Sequence, residues 1–140
     1  MSKINLGRML LGGLLAGLVL NIGEFLLNEV VLREQMAEFF SRYNIPPPGP
    51  SFLVVAVLMT FLLGILIVWI YALIRPRLGA GPMTAVIAGV IAWLCIYVYT
   101  GIINGLVFAS PINLLVIGVI WGLVQYAIAA VAGAWVYREA

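Results

Sequence analysis

The chain has 140 residues, 65% of them hydrophobic and only 9% charged, whereas an ordinary soluble domain is about 45–50% apolar and about 25% charged. Lipid must therefore be the solvent for much of its surface, and the length allows one domain, residues 1–140. Seven scattered basic residues and a net charge of +2 exclude the concentrated basic patch of a nucleic-acid binder; with no histidine the commonest general base and metal ligand is missing, and the lone Cys95 allows no internal disulfide.

Lys3 and Arg8 lead into the first apolar run, residues 6–32. It is too long for a signal-peptide core and no small-residue cleavage site follows, so it reads as an uncleaved span. Further runs cover about residues 52–74, 83–108 and 112–137, each near or above the roughly 20 residues that cross a hydrocarbon core as a helix. The strands of a membrane barrel would alternate apolar and polar residues, and these runs do not. The expected fold is all-α, an integral membrane four-helix bundle.

Glu24 is the costly residue of the first span, since a charge at mid-span carries a penalty of roughly 2.5–3.5 kcal/mol. Counted from Arg8 at ~1.5 Å per residue, it lies ~24 Å up the helix, in the outer third of a core ~30 Å thick. Gly13, Gly17, Asn21, Glu24 and Asn28 follow one another at helical spacing and share a face. No lysine or arginine occurs at the depth of Glu24, so its charge is lost to protonation, solvated by a crevice, or paired with another subunit.

Between the first two spans, Leu32, Met36, Phe39, Phe40 and Tyr43 recur at helical spacing opposite Arg33, Glu34 and Glu38. This predicts a short amphipathic helix on the outer membrane face, as a re-entry linker or a docking surface. Pro46-Pro47-Pro48-Gly49-Pro50 forces an extended stretch after it, and Ser51 is placed to cap the second span. Arg75 and Arg77 follow that span as topology determinants or lipid-headgroup contacts. Gly79-Ala80-Gly81-Pro82 lacks the Gly-Lys-Ser/Thr ending of a phosphate loop and reads as a tight turn, with Pro82 in the first helical turn of span three.

In the third span, Tyr97, Tyr99 and Asn104, with Asn113 of the fourth, are placed as neighbours of Glu24 and Asn28. The expected polar cluster is Asn21, Glu24, Asn28, Asn104 and Asn113. The fourth span carries Gly118, Gly122, Gln125, Ala129 and Gly133 at helical spacing, and pairing it with the first along their small-residue faces is the expected packing, through Gly13, Gly17, Gly118 and Gly122. Gln125 is placed nearer the midplane than Glu24, out of direct contact.

Two hairpins look alike. Ala16-Gly17 corresponds to Ala88-Gly89, and Trp69-Ile70-Tyr71 to Trp135-Val136-Tyr137, each followed by an arginine, Arg75 and Arg138. Duplication explains this; so does ordinary enrichment of tryptophan and tyrosine at membrane interfaces. Lys3, Arg8, Arg75, Arg77 and Arg138 fall on one side of the bundle against Arg33 and Arg42 on the other, which by the positive-inside rule places both termini in the cytoplasm.

Tyr71-Ala72-Leu73-Ile74-Arg75-Pro76-Arg77-Leu78-Gly79-Ala80-Gly81-Pro82-Met83-Thr84-Ala85 resembles a motif of small, uncharacterised four-helix bacterial inner-membrane proteins. The opening Gly12-Gly13-Leu14-Leu15-Ala16-Gly17 with Asn21, and the ending Gly133-Ala134-Trp135-Val136-Tyr137-Arg138-Glu139, are similar to theirs as well. The resemblance implies the fold and an inner-membrane location, and no activity. The expected function is that of a non-catalytic accessory or scaffold subunit, without cofactor or metal, whose partners are lipids and other membrane subunits or further copies of itself. The rival expectation is a small ion- or proton-coupled transporter using Glu24.

Overall fold

The computed structural model describes residues 3–139, and their regular structure is entirely helical. Helix α1 (Leu6–Leu26) runs on through a π-helical turn (Leu27–Val31) and is followed by α2 (Arg33–Arg42) and α3 (Pro50–Leu78). Helix α4 (Pro82–Ala92) passes through a second π-helical turn (Trp93–Val98) into α5 (Tyr99–Val107), and α6 (Ile112–Val136) closes the chain. Four continuous helices, Leu6–Val31, Pro50–Leu78, Pro82–Val107 and Ile112–Val136, are long and apolar enough to cross a membrane.

Their ends follow local chemistry. The Asn5 side chain accepts the Arg8 backbone N–H at 3.1 Å and caps α1. Pro50 and Pro82 both occupy first-turn positions, where a missing N–H costs nothing. Pro50 moves the start of α3 ahead of Ser51, which lies within the first turn instead of capping it; Gly49 holds the cap position, with no side-chain hydrogen bond. Helix α3 also runs past the expected residue 74 to Leu78. Pro76 sits in its last turn, and the helix stops only at Gly79, whose φ of 85° favours glycine.

Helix α1 packs most closely on α3 and next on α6, while α4 packs on α6 and α3, so the four long helices form a ring in the order α3, α1, α6, α4. The core between them is made of small and β-branched residues, among them Ala16, Ile67, Val68, Ala85, Ala88 and Ala129, all essentially inaccessible. It is concentrated toward the end carrying Arg8, Arg75 and Arg138: α3 contributes buried residues only from Gly64 to Ala72. From Phe52 to Met59 its large apolar side chains are exposed on every face. The bundle is thus closed at its basic end and opens toward the end carrying α2.

The expected pairing of α1 with α6 is present, but Gly13 and Gly17 do not mediate it. A side chain added at either would strike Ile65 or Phe61 of α3, and Gly64 of α3 faces Gly13 and Gly17 in return. It is Gly12, Ala16 and Gly23 that meet α6, through Gly133 and Gln125. The doublets Gly12-Gly13 and Ala16-Gly17 give α1 two small faces ~100° apart, one for each neighbour. Gly122 faces the Tyr97 ring, and Gly118 has no neighbour within 4 Å of an added side chain.

The two hairpins repeat this arrangement. Gly17 faces Phe61 and Gly64 of α3, and Gly89 faces Tyr126 and Ala130 of α6. The first long helix of each hairpin carries a π-helical turn, at its end in Leu27–Val31 and across its midpoint in Trp93–Val98. Tyr71 and Tyr137, the equivalent tyrosines of the two Trp-x-Tyr sequences, meet edge to face with ring centroids 5.9 Å apart.

Helix α2 folds over the open end of the bundle. Phe39 and Tyr43 each pack edge-on against Phe108 of the turn between α5 and α6, with centroids 5.5 Å apart. The Tyr43 hydroxyl donates to the Phe108 backbone carbonyl. Residues 45–49 then form an extended connection to α3, as the run of prolines requires.

Candidate functional site

The polar centre of the bundle is built on Gly23 and Glu24 of α1. Gln125 Nε2 of α6 donates to Glu24 Oε1 at 2.5 Å, and Asn28 Nδ2 donates to Glu24 Oε2 at 3.3 Å. The same Asn28 amide donates to the Glu24 backbone carbonyl at 2.9 Å. It does so where α1 gives way to its π-helical turn, a place where the backbone ladder changes step and such turns often mark functional positions. One turn along α6, Trp121 Nε1 donates to the Gly23 carbonyl at 3.1 Å. Two α6 side chains four residues apart therefore hold one dipeptide of α1.

Glycine at position 23 is what lets them approach. A Cβ there would lie 3.3 Å from Gln125 Cβ, 3.2 Å from its Cδ, and in collision with its Oε1. That oxygen is buried and, among the described residues, without a hydrogen-bond partner; it occupies the space that a side chain at position 23 would fill.

The contact between Glu24 and Gln125 corrects the depth expected for Gln125. Glu24 stands sixteen residues from Arg8 and Gln125 thirteen from Arg138, so from the basic end their Cα atoms differ in height by only ~4.5 Å at 1.5 Å per residue. Two long side chains close that gap.

Of the other expected members, Asn28 joins Glu24 directly. Asn21 Nδ2 donates to the Gly17 carbonyl at 3.0 Å and, across the helix contact, to the Val57 carbonyl of α3 at 3.5 Å. Asn104 and Asn113 are exposed, and among the described residues neither makes a side-chain hydrogen bond to Glu24 or Asn28. They lie at the α5–α6 end, beyond the reach of the Glu24 carboxylate. Tyr99 is 67% exposed, whereas Tyr97 turns inward and packs edge-on against Tyr126 at 5.6 Å.

Residues not singled out in the sequence also tie the helices. Trp93 Nε1 donates to the Val119 carbonyl of α6 at 3.0 Å, the counterpart of the Trp121–Gly23 bond. Their signal was position: a mid-span tryptophan must find an acceptor for its indole N–H.

Beside Glu24 lies a cavity of about 480 Å³ between α1 and α3, roofed by Met36 and Phe40 of α2. Asn21, Glu24, Asn28 and Tyr126 are on its wall. A second, almost wholly apolar groove of about 520 Å³ runs between α1 and α6, lined by Ile22, Leu26, Ile117 and Ile120.

At the basic end, Arg75 stacks over the Tyr137 ring at 5.5 Å and approaches Glu139, Nε to Oε1, at 3.9 Å. Arg77 is exposed. The Tyr71 hydroxyl accepts the Gly81 N–H at 3.3 Å, and Thr84 Oγ1 donates to the Gly79 carbonyl at 2.8 Å. These bonds fix the short turn into α4.

No protein-family model, curated protein or solved structure matches the chain.

Proposed function

We propose that this chain is a non-catalytic multi-pass protein of the bacterial inner membrane, with both termini cytoplasmic, serving as an accessory or scaffold subunit of a larger membrane assembly. The observation that carries this reading is the state of Glu24. Both of its carboxylate oxygens accept hydrogen bonds from amides of the same chain, so the most costly residue of the span knits α1 to α6. The exposed end of α3 supports it: Phe52, Leu53, Val55, Leu58 and Met59 are large apolar side chains left mostly exposed, a surface that a neighbouring helix can cover as readily as lipid. The distribution of arginines supports the orientation.

Purification from native membranes in mild detergent is expected to recover other subunits at fixed stoichiometry. Recovery of a lone monomer under several detergents and lipid supplements would refute the reading. Single cysteines introduced at position 3 and at position 42, in a Cys95→Ser background, test the orientation: an impermeant maleimide added to intact cells should label only the second.

A second reading, a small ion- or proton-coupled transporter, is favoured by the cavity on which Glu24 lies. It requires flux in liposomes containing the chain alone, and loss of that flux in Glu24→Gln.

A further inference from the structure

We propose that the cavity beneath α2 binds an amphipathic organic ammonium compound, its N–H groups on Glu24 and its apolar body between α1 and α3. The volume, about 480 Å³, falls within the roughly 300–1,000 Å³ of small-molecule sites. Most of the wall is apolar, including Phe25, Leu53, Met36 and Phe40. An apolar body is what such a wall accommodates.

The polar part of the wall specifies the other end of the ligand. Both contacts of the Asn21 amide nitrogen are carbonyl oxygens, Gly17 at 3.0 Å and Val57 at 3.5 Å. Both contacts of the Asn28 amide nitrogen are oxygens of Glu24. The Thr60 hydroxyl donates to the Ala56 carbonyl at 2.7 Å. The amide nitrogens of Asn21 and Asn28 and the Thr60 hydroxyl proton are therefore turned into the protein, and Tyr126 adds one hydroxyl that can donate or accept. What remains for a ligand is mainly acceptor capacity: the amide oxygens of Asn21 and Asn28, the lone pairs of Thr60, and the unused lone pairs of Glu24, since a carboxylate accepts about four bonds and two are made here.

Charge points the same way. Glu24 and Glu29 are both on the wall, and no lysine or arginine is. Among the described residues Glu24 is bonded only by neutral amides, so the counter-charge that a partly buried carboxylate calls for is absent from the lining and falls to the occupant. A ligand rich in N–H donors and positively charged satisfies both requirements; a neutral acyl chain satisfies neither. Helix α2 forms the roof, held across the open end of the bundle by Phe39 and Tyr43 on Phe108. The site needs a single chain and stands whether or not that chain has partners.

The test uses the full chain in zwitterionic lipid nanodiscs, with octylammonium as probe and empty discs subtracted, read by titration calorimetry. Saturable binding of one octylammonium per chain is expected. Loss of a charge-assisted bond should make it roughly tenfold or more weaker in Glu24→Gln, and octyltrimethylammonium, which has no N–H, should also bind more weakly. Octanol and octanoate should show no saturable binding. Ala56→Leu, which fills the cavity from the α3 side and leaves the Glu24 carboxylate in the sequence, should abolish binding, with helicity and monodispersity confirming that both variants are folded. Equal binding of octanol, octylammonium binding unchanged in folded Glu24→Gln, or a retained phospholipid that octylammonium does not displace would each overturn the proposal.

Discussion

Replacing Gly23 by alanine puts a methyl group where the Gln125 amide lies. The new Cβ would be 3.2 Å from Gln125 Cδ, in collision with Oε1, and 3.3 Å from Gln125 Cβ, so the amide must leave the Glu24 carboxylate. Overpacking costs typically about 1–3 kcal/mol, and a lost interhelical hydrogen bond in a membrane protein about 0.6–1.7 kcal/mol. Gly23→Ala should therefore destabilise by ~2–4 kcal/mol. Gln125→Ala alone forfeits the bond and the volume of the amide. In the double variant only the 3.3 Å contact with Cβ persists, which a small shift relieves, so the two costs should fall short of additivity by ~1–3 kcal/mol, within the range for residues in contact. Reversible unfolding by sodium dodecyl sulfate in mixed micelles, followed by circular dichroism for all four proteins of the cycle, measures this. Additivity to within ~0.5 kcal/mol would mean that the two residues do not touch and would refute the reasoning.

Other consequences follow from the same packing. Gly64→Ala should destabilise by about 1–3 kcal/mol, because its Cβ would collide with the Gly13 carbonyl and the Gly17 backbone. Gly118→Ala, with nothing within 4 Å, should stay within ~0.5 kcal/mol in the same assay. Trp121→Phe removes the bond to the Gly23 carbonyl together with part of the packing of the indole, and should cost at least about 0.6–1.7 kcal/mol. Phe108→Ala removes two edge-on contacts with α2, worth about 0.5–1.5 kcal/mol each. Amide exchange should then accelerate in α2 by roughly tenfold or more while protection of α3 and α6 is unchanged; acceleration throughout the bundle would mean that α2 is part of the core.

The spans were legible because their only requirement is length and apolarity: residues 112–137 predict Ile112–Val136 almost to the residue. One likeness of the hairpins was legible too, since Gly17 and Gly89 each face the second long helix of their own hairpin. Which face meets which neighbour was not. Gly12 and Gly13 are consecutive, and nothing in a glycine doublet tells which of them looks at α3 and which at α6. The π-helical turns at Leu27–Val31 and Trp93–Val98 carry no composition signal either, because they answer to partners elsewhere in the chain. In the site, Asn28 followed from its spacing of four from Glu24. Gln125 was excluded by a height estimate that ignored how far two long side chains reach, and Asn104 and Asn113 were included by depth alone, which does not fix the side of the helix they face.

The most direct measurement on the polar centre is the infrared carboxyl band of Glu24 in protein labelled with ¹³C-glutamate. The chain has five acidic residues, all glutamates, and the difference spectrum against Glu24→Gln isolates the one of interest. If Gln125 holds the Glu24 carboxylate, the band should shift in Gln125→Leu, which keeps the volume and removes the N–H donor. A Glu24 band that is the same with and without Gln125 would contradict the account.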